Sequence, residues 1–241
     1  MANQLDLEEQ EQLDQIKHFW KQYGNLITWA LIVVLGGFAG WNVYQYWQRN
    51  QATQASAMFD EVDRMASTGD ISKVERAFTD MKDKYAGTAY AQQSGLLVAK
   101  LYYDAGKLDA AKAALAWVAD KASDEGYQAI AKLRLAGILV ESKAYPEALA
   151  QLGGSFPVEF APLVADRKGD ILSLQGKGTE ARAEYEKAYK AFDERIEYRR
   201  LVEVKLNALG VNPRGGESAV LPAPAAMASS SGGAVAIEGT K

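Results

Sequence analysis

Part of the stretch YYDAGKLDAAKAAL, Tyr102 to Leu115, recurs along the chain. Its second half, KLDAAKAAL (Lys107 to Leu115), aligns with AYPEALAQL (Ala144 to Leu152) and KGTEARAEY (Lys177 to Tyr185). Ala111, Ala148 and Ala181 fall in register, each followed four residues later by a larger side chain, Leu115, Leu152 or Tyr185. Upstream, KVERAFTDM offers Ala77 and Met81 at the same places. The alanines are 34, 37 and 33 residues apart, and twelve residues before three of them stands a second small residue, Ala99, Ala136 or Gly169. A period near 34 with two amphipathic helices per unit marks a solenoid of helical hairpins. Small residues let the two helices of a hairpin approach closely, and each hairpin buries its apolar face on the next. The expected fold is all-α, with about four hairpins over residues 52–210.

Outward toward the N-terminus, the run from Leu26 to Tyr44 is apolar over nineteen residues. As a helix rising about 1.5 Å per residue it matches the roughly 30 Å hydrocarbon core of a bilayer. A cleaved secretory signal would have a shorter apolar segment and a cleavage site close behind it. Here the small-x-small triplet Ala55-Ser56-Ala57 is separated from the apolar run by YQYWQRNQATQ, which is too long and bulky for a cleavage region. Trp20, Tyr23 and Trp29 on one side, with Trp41, Tyr44, Tyr46 and Trp47 on the other, place amphipathic rings at both interfaces of a permanent spanning helix. The expected organisation is therefore an acidic tail over residues 1–25, a transmembrane helix over 26–47, the repeat domain, and a last segment over 211–241. Trp29, Gly36, Gly40, Trp41, Tyr44 and Trp47 form the membrane anchor. Gly36 and Gly40 make a G-x-x-x-G pair, which serves helix packing in some spans and is also ordinary composition for one. Lys17 and Lys21 against a single Arg49 favour a cytoplasmic N-terminus and an exported C-terminal domain by the positive-inside rule.

The chain carries 27 basic and 31 acidic side chains, and much of the acidic excess sits in the tail segment LDLEEQEQLD. The remainder is close to neutral, so no basic field for nucleic acid exists. Cysteine is absent, which excludes disulfides, thiolate nucleophiles and Cys-based metal sites. His18 is the single histidine and lies near the span, so it has no histidine partner for a metal. Asp166 and Asp170, one helical turn apart, read as a solvated helix face rather than paired acids. With no Gly-rich strand-to-helix loop and no G-x-S-x-G, neither catalysis nor a cofactor is expected. After Gly210 the sequence VNPRGGESAVLPAPAAMASSSGGAVAIEGTK is small, Pro/Gly/Ser-rich and aperiodic, the composition of a disordered tail.

The repeats resemble tetratricopeptide units, whose signature combines a small residue in the first helix, an aromatic three positions on, and A-x-x-x-F in the second helix. Tyr102 takes the aromatic place after Ala99, and Ala181 with Tyr185 is the best second-helix copy. The signature Trp is replaced by Gly95, Lys132 and Ala165, and the closing Pro is missing, so the repeats are degenerate. An acidic tail, one span, and degenerate repeats ending in the amphipathic helix RIEYRRLVEVKLNALG together resemble the YfgM family, ancillary subunits of the bacterial Sec translocon. The resemblance covers roughly residues 1–210. It implies a single-pass protein of the bacterial inner membrane whose domain faces the periplasm. It further implies association with Sec translocon subunits and a membrane-anchored periplasmic chaperone, and assistance in handing over unfolded exported chains.

By repeat register, the concave face lined by the first helix of each hairpin should include Lys100, Tyr103, Asp104, Glu141, Asp166 and Asp170. The clamp by which some tetratricopeptide domains hold a C-terminal carboxylate is absent, since its places hold Leu96, Lys100, Leu133, Gly137, Asp166 and Asp170. A face of mixed charge suits extended polypeptide or another chaperone. The alternative is a structural scaffold that assembles an envelope or division complex without touching a client. If the span is retained, the full-length chain stays in membranes through an alkaline carbonate wash with its N-terminus intact. A soluble chain beginning just after Ala57 would contradict this.

Overall fold

The computed structural model describes residues 7–214. The segment 215–241, most of the expected disordered tail, lies outside the described residues, as does the start of the acidic tail. Among the described residues there are nine α-helices, one 3₁₀ turn and no strand: α1 (Leu7–Thr68), α2 (Ile71–Tyr85), α3 (Ala89–Asp104), α4 (Leu108–Lys121), α5 (Glu125–Glu141), α6 (Tyr145–Gln151), the turn Val158–Phe160, α7 (Ala161–Leu174), α8 (Gly178–Ala191) and α9 (Tyr198–Ala208). The chain divides after Ala131 into two compact units.

In the first unit α1 runs unbroken for 62 residues. No proline interrupts it, and the segment after the apolar run is rich in Gln, Ala, Arg and Met, which propagate a helix well. One chain segment thus serves as both the candidate span and the first helix of the first hairpin. Ala55 and Val62 from its C-terminal part are fully buried, and Ala55 packs in one cluster with Met81 of α2 and Ala91 of α3. The inward stripe of α2 therefore runs through Val74, Phe78 and Met81, and Ala77 is only half-buried. Contrary to the expected alanine register, Ala77 is not the inward residue of α2, because the helix is turned so that the larger Phe78 faces the core.

The next hairpin, α3 with α4, keeps the expected register: Ala99 is 2 % exposed and Ala111 fully buried. A Cβ on Gly95, at the place of the signature Trp, would stand 2.4 Å from Val118 Cγ2 and 3.4 Å from the Trp117 ring. The bulk that the repeat signature puts on the first helix is supplied here from the second. Trp117 in turn meets Phe78 edge-on, with ring centroids 5.6 Å apart.

In the second unit Ala136, Ala148, Leu152, Val164 and Ile171 form one core cluster, and Ala181, Tyr185, Ala188, Val202 and Leu206 belong to another. Gly169 lies flat against Tyr185, where an added Cβ would be 2.5 Å from the ring. Three hairpin turns close in the same way. A residue in left-handed conformation follows the first helix, and the next N–H donates back five residues: Lys107 to the Tyr102 carbonyl at 2.8 Å, Ala144 to Leu139 at 2.8 Å, Lys177 to Leu172 at 2.9 Å. Gly106 and Gly176 occupy that conformation in two turns, but Lys143 does so in the other, with φ of 58°.

Two substitutions should therefore shift stability in opposite directions, read by thermal or denaturant unfolding. Gly169→Ala gains up to about 1 kcal/mol of helix propensity, yet it forces the Tyr185 ring out of place at a cost of about 1–3 kcal/mol, for a net loss. Lys143→Gly should gain about 1 kcal/mol by relieving the left-handed conformation.

Candidate functional site

The expected face divides into open and covered positions. On α3, Lys100 and Asp104 lie one turn apart and form an exposed ion pair, with side chains 68 % and 52 % exposed. Tyr103 lies between them in sequence and is itself 38 % exposed, whereas its neighbour Tyr102 is 6 % exposed. The two tyrosines thus split as repeat register requires, one ring into the hairpin and one toward solvent. An exposed i,i+4 pair contributes only a few tenths of a kcal/mol, so Lys100 and Asp104 are available to exchange partners. Glu141, the last residue of α5, is exposed in the second unit.

Asp166 and Asp170 are different. Asp166 is 2 % exposed, which corrects the expectation of a solvated helix face. The reason is α9, whose Val202 and Leu206 pack into the core and whose polar side chains close over the two carboxylates. Lys205 Nζ donates to Asp166 Oδ1 at 2.8 Å, to Asp166 Oδ2 at 2.9 Å and to Asp170 Oδ1 at 2.6 Å. The Tyr198 hydroxyl donates to Asp166 Oδ2 and the Tyr185 hydroxyl to Asp170 Oδ1, both at 2.8 Å. Arg199 stacks on the Tyr189 ring at 4.1 Å and donates to the Tyr189 carbonyl at 3.1 Å. This arrangement is a latch: α9 is bound by apolar burial and by one cation shared between two carboxylates. Burial, then the hydrogen bond to Asp166, pushes the Tyr198 hydroxyl up to about 12, and Tyr185 is raised further by burial and by Asp170.

Register arithmetic missed Lys205, Tyr198 and Tyr185 as partners of the aspartates. The available signal was the spacing of Tyr198, Val202 and Lys205 on a short amphipathic helix, which puts two polar tips beside an apolar stripe. The anchor residues Trp29, Gly36, Gly40, Trp41, Tyr44 and Trp47 all lie exposed on α1. An added Cβ on Gly36 or Gly40 would meet nothing within 4 Å, so among the described residues nothing packs on that pair. α1 is the one described helix long and apolar enough to cross a membrane, with a mean hydropathy of 1.8 in its most apolar window.

Removing the cation leaves a buried carboxylate uncompensated, so Lys205→Met should cost about 3–5 kcal/mol, and Lys205→Met with Asp166→Asn should cost less than Lys205→Met alone. A loss below about 1 kcal/mol in unfolding experiments would show that the latch is not formed. The tyrosines set an alkaline limit. Their protonated forms are favoured by folding, so the associated stability is whole below the ordinary tyrosine pKa near 10 and is lost as pH rises toward 12 and beyond. Tyr198→Phe should flatten that alkaline loss, as followed by tyrosinate absorbance and helical signal together.

Comparison with known proteins places this architecture. A family model described as a tetratricopeptide repeat-like domain matches residues 17–211, from before the apolar run to just past α9. A protein of Neisseria gonorrhoeae named ancillary SecYEG translocon subunit is 32 % identical over 204 residues, covering 84 % of this chain and 98 % of the relative. Proteins of the same name from Haemophilus influenzae and Escherichia coli are 29 % and 27 % identical, each over 84 % of this chain and over 98 % and 97 % of their own lengths. Since the match takes in the apolar helix, the hairpins and the latch helix alike, this chain belongs to the tetratricopeptide repeat-like domain family and, within it, to the family of ancillary SecYEG translocon subunits.

Proposed function

We propose that this protein is a membrane-anchored, non-catalytic binding subunit of the Sec translocon. In this reading α1 crosses the bacterial inner membrane once, with its N-terminus in the cytoplasm and the repeat domain in the periplasm. The domain receives emerging exported chains and passes them to a membrane-anchored periplasmic chaperone. The observation that carries the reading is the similarity to ancillary translocon subunits over 84 % of the chain, since a relation confined to the repeats would say nothing of an anchor. Lys17 and Lys21 before the apolar run, against Arg49 after it, support the orientation.

The binding surface proposed is the α3 patch of Lys100, Tyr103 and Asp104; Glu141 is proposed as a separate contact on the second unit. Asp166 and Asp170 serve to hold α9. Tyr103 supplies the area, because a half-exposed aromatic ring loses little entropy on binding and such rings dominate interface energies. The flanking opposite charges orient a partner without demanding one net charge. A second reading has its own support: the relatives are named as subunits, which describes membership of an assembly and is equally met by a scaffold that touches no client.

One experiment separates these readings. A photocrosslinking residue at Tyr103 in living cells should capture a Sec channel subunit, a membrane-anchored chaperone or nascent exported chains. Capture of translocon subunits without any exported chain would favour the scaffold, and capture of nothing, at Tyr103 and at Lys100, would remove the patch from consideration. Tyr103→Ala should weaken partner recovery by about 1–2 kcal/mol or more and leave the unfolding temperature nearly unchanged.

A further inference from the structure

The first unit holds a groove of about 540 Å³ that repeat packing does not fill. One wall is a single face of α1, from Tyr44 and Trp47 to Gln51. The other is the turn between α2 and α3, from Lys84 to Tyr90, and Ser123 after α4 completes the lining. Its height along α1 is informative. The apolar run ends at Tyr44, and the eight residues from there to Ala52 rise about 12 Å. The headgroup layer of each leaflet takes up roughly 5–8 Å outside the hydrocarbon. With α1 in the membrane, the groove starts at the edge of the hydrocarbon and crosses the headgroup layer. Its aromatic wall continues the interfacial ring band, with Trp41 and Tyr44 centroids 6.3 Å apart and Tyr44 and Trp47 6.4 Å apart.

We propose that this groove seats the headgroup of a phospholipid from the leaflet into which the C-terminal half of α1 emerges. The proposal rests on the membrane-anchor reading. Its lining follows the order of a lipid, apolar ring faces at the hydrocarbon edge and hydrogen-bond donors and a cation beyond them. Tyr44 and Trp47 contact the glycerol and upper acyl chain, as interfacial aromatics do. Lys84 provides the cation for the phosphate. Its one ion pair, with Asp80 at 4.0 Å, is loose, and both side chains are 58 % exposed. Ser123 provides a neutral donor: its oxygen accepts from Gln92 Nε2 at 2.9 Å, which leaves the hydroxyl proton to point at an incoming acceptor. Gln92 is fully buried behind it and holds the Ser123 oxygen in place. The turn is braced against α1 by the Tyr85 hydroxyl, which donates to Gln54 Oε1 at 2.9 Å. The groove thus ties the first hairpin of the repeat domain to the membrane surface.

The test uses the full chain in vesicles of phosphatidylethanolamine and phosphatidylglycerol, with a photocrosslinking residue at Gly87 in the turn, at Trp41 in the ring band, or at Asp109 at the start of α4, the length of α3 away from the groove. An added Cβ at Gly87 meets nothing within 4 Å and the Asp109 side chain is 97 % exposed, so both probes are tolerated. Phospholipid adducts, identified by mass, are expected at positions 41 and 87 and not at 109. Lys84→Glu should lower the yield at 87 about fivefold, the scale of one cation at an anionic surface, and leave the yield at 41 unchanged. Adducts at 41 with none at 87, only protein adducts at 87, an equal yield at 109, or insensitivity to Lys84→Glu would each overturn the headgroup seat. Absence of lipid at 41 as well would overturn the anchor reading itself.

Discussion

Two helices joined by a turn of about three residues must pass close to each other just beyond it, and the side chains at that crossing set how near they come. In this protein the crossing is made by small residues twelve apart, with Ala99 and Ala111, Ala136 and Ala148, and Gly169 and Ala181 taking the two sides of the hairpins. All five alanines are nearly or completely buried. Everything larger is arranged around these contacts. Tyr185 lies on the bare face of Gly169, and Val118 and Trp117 fill the space over Gly95. The degeneracy of the repeats is a redistribution of volume: what one helix loses, its hairpin partner supplies.

Among the described residues no repeat follows the hairpin of α7 and α8, and the end of any solenoid needs a cover. Here α9 covers it with Val202 and Leu206 for the apolar surface and Lys205 for the two aspartates. A carboxylate as buried as Asp166 is tolerated only when its charge is compensated and its lone pairs are taken, and Lys205 with Tyr198 does both. Tyr185 then belongs to two structures at once, packing on Gly169 with its ring and holding Asp170 with its hydroxyl. Core packing and the terminal latch are thus coupled through one side chain.

At the other end α1 has two roles. Its apolar part faces outward on all sides, while its C-terminal part buries Ala55 and Val62 in the first hairpin. No break separates them, so the bilayer-facing rings and the first repeat share one helix axis. The proposed lipid seat follows from this continuity, because it brings the α2–α3 turn alongside the residues that follow the span. A hinge at that point would leave the same residues without a common groove.

The all-α class, the hairpin period, the inward alanines from Ala99 onward and the division between Tyr102 and Tyr103 are legible in the order of residues alone. Each of these is a local consequence of helical spacing repeated at a constant interval. The length and aromatic borders of the apolar run are legible in the same way. Packing between helices settles what spacing leaves open. Ala77 yielded to Phe78 because the rotation of α2 about its axis depends on its partner in α1 and not on the repeat. Asp166 and Asp170, identical in pattern to solvated acids, became the floor of a latch because Lys205 stands 39 and 35 residues further on. No local rule links positions so far apart. Periodicity records which face of a helix is apolar, whereas the pairing of a buried charge depends on which other helix arrives to cover it.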